Sequence, residues 1–109
     1  EYPVDLRKLM SFVAASELNS FTAASKLVNL TQGAVSQQVK DIEEELGYKL
    51  IDRKTRPISL TKEGAELVVV SRQILNLWWN FKSKKKENEF KNIKKKNNRK
   101  KKTNKKNNV

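Results

Sequence analysis

Between Leu30 and Lys40 the chain reads LTQGAVSQQVK, where Thr31, Gln32, Ser36, Gln37 and Gln38 supply hydroxyls and carboxamides and nothing from Thr31 to Val39 is charged. Such groups donate and accept hydrogen bonds. A carboxamide or hydroxyl can match the pattern on a base edge, with glutamine suited to adenine, and a good bidentate pair contributes roughly 1–3 kcal/mol of discrimination. Bond-breaking chemistry has little to work with. The 109 residues include no histidine and no cysteine, which removes imidazole bases, thiol nucleophiles, disulfides and the usual zinc ligand sets. Serine, threonine and aspartate are present without a base to activate a hydroxyl, so an enzyme is not expected, and neither is a cofactor or a metal.

These side chains need a helix to aim them. Val35, Val39, Ile42 and Leu46 recur at intervals of four, three and four, which predicts a helix capped by Thr31 and stopped by Gly47. At about 100° per residue, Gly33, Gln37 and Lys40 face away from that stripe, Ser36 lies toward one flank, and Gln32 at the helix start is close to them. Acids are placed against the helix dipole: none stands in the first turn, while Asp41, Glu43, Glu44 and Glu45 crowd the end. That order frees the amino terminus for a phosphate and keeps carboxylates away from it. Gly33 costs ~1 kcal/mol of helix propensity relative to alanine. Its missing side chain permits close approach of another backbone. Periodicity alone also fits an ordinary amphipathic helix with a solvated polar face.

The flanking sequence supplies the elements that would position this helix. Leu6, Leu9, Met10, Val13 and Leu18 predict a first helix over residues 5 to 18. Ser20 then caps a second, short one carrying Phe21, Ala24, Leu27 and Val28. Asn29 and Leu30 leave a tight connection, so the second and third helices cross steeply. Beyond Gly47, YKLID and ISL predict two short strands around a basic turn, a β-wing in which Arg53, Lys54 and Arg56 are placed to meet phosphates or a minor groove. Thr61 caps a fourth helix running from Lys62 to about Phe81. Leu67, Val70, Ile74, Trp78 and Phe81 follow one side of it, with Val68, Leu75 and Trp79 beside them. So apolar a helix, on a domain this small, is expected to pair with a second chain.

Charge divides sharply. Residues 1–81 contain ten Lys/Arg and ten Asp/Glu, whereas residues 82–109 contain fourteen Lys/Arg and two Glu, so the whole net charge of +12 lies in the carboxy-terminal segment. That segment is rich in lysine and asparagine and is expected to be disordered. Three parts follow: three helices and a β-wing at 1–61, a fourth helix at 62–81 expected to pair two chains, and a tail at 82–109. No apolar run approaches the ~20 residues needed to cross a bilayer, and the expectation is a cytoplasmic protein without membrane contact.

The ordered run SFTAASKLVNLTQGAVSQQVKDIEEELGYKLIDR, followed by ISLTKEG, resembles the amino-terminal domain of LysR-type transcriptional regulators, from about Val4 to about Phe81. The resemblance implies a mainly α winged helix-turn-helix, with three helices and a two-stranded wing, followed by a long dimerisation helix. It implies double-stranded DNA as partner, a pseudo-palindromic site, and a homodimer or a heterodimer with an intact homologue in a bacterial, nucleoid-associated setting. The family's DNA-facing positions fall on Thr31, Gln32, Gly33, Ser36, Gln37, Lys40 and Arg53, with a phosphate contact at Ser20. Ala23 and Ala24 match its small packing residues. Gly33 stands where many members have proline, Gln37 replaces a frequent arginine, and Ile51 replaces a usual phenylalanine. Members ordinarily continue into an effector domain that nothing here resembles, and the lysine and asparagine bias suits a truncated or frameshifted regulator from an AT-rich genome. Two other functions remain open on the sequence: nonspecific binding of DNA or RNA through the basic tail, and a module that only dimerises.

Overall fold

The structure is a computed structural model and describes residues 4–98, with side chains through residue 85. Its elements are α1 (Leu6–Leu18), α2 (Phe21–Val28), α3 (Gln32–Leu46), β1 (Ile51–Asp52), β2 (Ser59–Leu60) and α4 (Lys62–Asn98). The winged helix-turn-helix expected from the sequence is present. Each helix boundary in the first half has a local cause. Asp5, Ser20 and Thr31 sit in extended backbone and accept the amide hydrogens of Lys8, Ala23 and Ala34, each at 3.0 Å, so free amides at the starts of α1, α2 and α3 are satisfied. Asn19, Asn29 and Gly47 end the same helices in the left-handed region, with φ of 51°, 60° and 86°.

Two compact units divide after Leu75. In the first, α1, α2 and α3 enclose a core built on Phe12, Ala15, Ala24, Val35, Val39 and Ile42. Ala15 and Ala24 are fully buried, and their small side chains let the three helices approach closely. The wing closes this core from one side: Leu50, Ile51 and Ile58 are buried, and β1 pairs antiparallel with β2 in the register Ile51 to Leu60 and Asp52 to Ser59. The base of the wing is fixed at two points. Asn19, already committed to ending α1, donates from Nδ2 to the Ile58 carbonyl at 3.1 Å. Thr61 donates its backbone N–H to the Leu50 carbonyl and its hydroxyl to the Lys49 carbonyl, while its Oγ1 accepts from Gly64 to cap α4.

The first turns of α4 belong to the same core through Gly64, Val68, Ser71 and Leu75, with Leu67 partly buried against it. Val69, Val70 and Ile74 point to solvent. In the second unit Leu77, Trp78, Trp79 and Phe81 are exposed. The Trp78 and Phe81 rings lie 6.5 Å apart, and the Lys82 ammonium is 4.8 Å from the Trp79 ring.

The end of the fourth helix corrects the sequence reading. The helix was expected to stop at Phe81 and to give way to a disordered tail, yet α4 continues to Asn98. Residues 82–98 contain neither glycine nor proline, and lysine and glutamate are good helix formers, so a helix already nucleated by packed turns has no stop signal to obey. The remainder of the expected tail, residues 99–109, lies outside the described residues.

Candidate nucleic-acid interface

The start of α2, the start of α3 and the wing converge on one concave surface of about 840 Å³, lined by Asn19, Ser20, Phe21, Thr22, Gln32, Gly33, Ser36, Arg53, Arg56, Pro57 and Ile58. Six residues singled out from the sequence meet here: Ser20, Gln32, Gly33, Ser36, Arg53 and Arg56. Thr31 is exposed beside them as the α3 cap. Gln37 and Lys40 are exposed further along α3, Lys54 is exposed on the wing, and none of the three lines the concavity.

Hydroxyl geometry gives this surface a direction. Ser20 Oγ and Thr31 Oγ1 each accept a backbone N–H from their own helix, and Ser36 Oγ accepts from Arg53 Nη1 at 2.6 Å. Backbone amides and guanidinium are donors only, so all three oxygens are used as acceptors and their O–H hydrogens remain to be donated. Two helix amino termini add their dipoles. The result is a surface that favours an acceptor-rich anion. Gly33 lines it, and a Cβ built there would meet nothing within 4 Å. Packing within the described residues therefore does not require glycine at that position.

Arg53 sits more deeply than a free wing arginine. Its guanidinium lies 4.6 Å from the Phe21 ring centre, donates to both Ser36 Oγ and the Ser36 carbonyl, and approaches Glu43 Oε1 to 3.8 Å, leaving the side chain 27% exposed. It thus ties the wing to α2 and α3. Arg56, exposed at the wing, donates from Nη1 to the carbonyls of Arg53 and Thr55 at 2.7 and 3.1 Å. Further along α3, Gln37 Nε2 donates to Asp41 Oδ1 at 2.9 Å, and Lys8 Nζ lies 3.2 Å from Asp41 Oδ2. The Gln37 hydrogen bond and then Lys8 hold the Asp41 carboxyl below its ordinary value, so this acid stays ionised and neutralised by neighbours on the protein.

Two residues with clear roles were missed. Glu43, which the sequence places with Asp41, Glu44 and Glu45 at the end of α3, is buried at 5% exposure, and its Oε2 accepts from the amides of Leu50 and Ile51 at 2.8 and 3.2 Å. A signal existed: Glu43 follows Val39 by four residues and so falls at the edge of the apolar stripe. Glu44 and Glu45 are exposed. Thr22 is the other, donating to Gln32 Oε1 at 3.0 Å across the α2–α3 turn. No pattern in the sequence announces it.

Comparison with known proteins agrees with this architecture. Residues 6–65 match the model for bacterial regulatory helix-turn-helix proteins of the lysR family. The uncharacterized HTH-type transcriptional regulator YbhD of Escherichia coli K12 is 38% identical over 71 residues, covering 65% of this chain and 22% of YbhD. The chain spans about a quarter or less of the length of the curated relatives it matches. Among solved structures, the BenM DNA-binding domain in complex with catB site 1 DNA superposes with a TM-score of 0.73 at 34% identity, covering 77% of this chain and 93% of that one. DarR of Vibrio fischeri in complex with DNA gives 0.72 at 29% identity, covering 79% of this chain and 30% of that one. The relatives are transcriptional regulators rather than enzymes. Family model, relatives and fold coincide over the helices and wing that build the donor surface: this chain belongs to the LysR family and carries its DNA-binding transcription-regulator domain.

Proposed function

We propose that the chain selects a particular double-stranded DNA sequence, with the exposed start of α3 in the major groove and the wing against the adjoining backbone. The observation that carries this reading is the convergence of Ser20, Gln32, Gly33 and Ser36 on one hydrogen-bond-donating concavity beside Arg53 and Arg56. Gln32 and Ser36 are the base readers in this scheme. Ser20, Thr31 and the wing residues Arg53, Lys54 and Arg56 serve the phosphates, and Gln37 and Lys40 lie beyond them along α3. The exposed apolar side chains of α4, Val70, Ile74 and Trp78 with the partly buried Leu67, support pairing with a second copy or with a longer homologue. A pair would present two α3 helices to a pseudo-palindromic site, with residues 1–61 as the reading domain and 62–81 as the pairing helix. Such a regulator works on the bacterial nucleoid in the cytoplasm. No helix among the described residues is long and apolar enough to cross a membrane.

A second reading has its own support. Residues 82–109 hold the entire net charge of +12, and a lysine-rich segment attracts any polyanion by releasing counterions. Gel-shift titration of Gln32→Ala separates the two. The substitution is expected to weaken binding to a selected site by about tenfold, corresponding to the ~1–3 kcal/mol of a base contact, and to leave binding to scrambled duplex nearly unchanged. An equal loss on both duplexes would count against Gln32 as a base reader.

A further inference from the structure

The contact between Thr22 and Gln32 bears on which base the recognition helix accepts. Thr22 Oγ1 is 3.0 Å from Gln32 Oε1, with the hydroxyl as donor, and both residues are exposed on the concavity that also gathers Ser20, Gly33, Ser36 and Arg53. A glutamine recognises adenine by offering its carbonyl oxygen to the N6 amino group and its amide to N7 along one edge. Gln32 has its oxygen turned onto Thr22, which engages one of its two lone pairs and leaves the Nε2 amide, with two donor hydrogens, as the group free to meet a ligand head-on. The neighbouring hydroxyls of Thr31 and Ser36 are also left as donors, because their oxygens accept from Ala34 N–H and from Arg53. A donor array matches the O6 and N7 acceptors of guanine or the O4 of thymine, and fails against an exposed amino group.

We propose that Thr22 is a positioning residue that fixes the carboxamide of Gln32, turning Gln32 from an adenine reader into a reader of base acceptors. This rests on the reading of Gln32 as a base contact given above. Thr22 itself need not touch a base. Its influence is exerted through the plane of the Gln32 amide, and an exposed threonine at a helix start can be exchanged for the isosteric valine without opening a cavity.

The test uses the full chain and a random duplex library, followed by titration of the selected site with all four base pairs placed in turn at each position. Gln32→Ala identifies the position that Gln32 reads, because preference there flattens. At that position the parent protein is expected to favour guanine or thymine over adenine. Thr22→Val is expected to raise the relative affinity for adenine roughly five- to tenfold, with the other positions unchanged, and Thr22→Ser, which keeps the hydroxyl, is expected to retain the parent preference. If Gln32→Ala flattens a position and Thr22→Val leaves the preference there as it was, or if the parent already prefers adenine there, the role of Thr22 is overturned while Gln32 stays a base reader. If Gln32→Ala flattens no position, both the role of Thr22 and the reading it rests on fall.

Discussion

Gly64→Ala is expected to destabilise the first unit by about 3 kcal/mol, lowering the thermal midpoint by roughly 15 °C. A Cβ built on Gly64 would lie 2.0 Å from the Leu50 carbonyl oxygen, 2.9 Å from its carbon and 3.0 Å from Leu60 Cδ2. The obstacle is backbone, and it cannot swing aside: that same carbonyl accepts the Thr61 N–H at 2.9 Å, at the joint where the wing passes into α4. Relief therefore requires the helix start to move away from the wing, loosening the packing of Val68 and Leu75 that follow on the same helix. Gly33→Ala is the paired control. A Cβ there meets nothing within 4 Å, so the ordinary helix preference for alanine should raise stability by ~1 kcal/mol. Calorimetry on the two variants checks both signs. A Gly64→Ala protein melting within a degree or two of the parent would contradict the close approach.

Glu43→Ala is expected to cost about 3–5 kcal/mol, read as a fall in the urea midpoint. The carboxylate is the acceptor for two amides at buried residues, Leu50 and Ile51, and it is the nearby opposite charge for the half-buried Arg53 guanidinium. Truncation leaves two donors without an acceptor and a cation without its counter-ion, the asymmetric case in which removal costs far more than the pair contributes. Glu43→Gln keeps one acceptor oxygen but loses the charge, and its amide is expected to give an intermediate loss. A change below 1 kcal/mol in Glu43→Ala would mean that the carboxylate is dispensable to the joint between α3 and the wing.

Much of this architecture is legible in the sequence because it is written in local rules. The caps at Ser20 and Thr31 and the stops at Asn29 and Gly47 follow from side-chain hydrogen bonding and left-handed tolerance, and each is found where the residue types place it. The apolar interval of α3 fixes which side is buried, and hence that Gln32, Gly33 and Gln37 are exposed. What escapes is long-range. Glu43 pairs with amides seven and eight residues away across a turn, Arg53 folds back 17 residues to Ser36, and Gly64 is small because of the Leu50 carbonyl just before β1. None of these partners shares a helix or strand with the residue it constrains, so periodicity carries no trace of them. The extension of α4 past Phe81 was missed for a different reason. Composition argued that the segment lacks a core to pack on, whereas the helix continues on intrinsic propensity from turns that are already packed.

The central claim is that the uncharged face of α3 chooses the sequence and the lysine-rich segment supplies only general affinity. The measurement that bears on it most directly is the ratio of dissociation constants for scrambled and selected duplex, taken by gel shift across a salt series for the full chain and for a chain lacking residues 82–109. Removal of fourteen Lys/Arg is expected to weaken binding to both duplexes and to flatten the salt dependence, while the ratio stays within a fewfold of its original value. A ratio that collapses to one in the shortened chain would contradict the account and assign the selectivity to the charged segment.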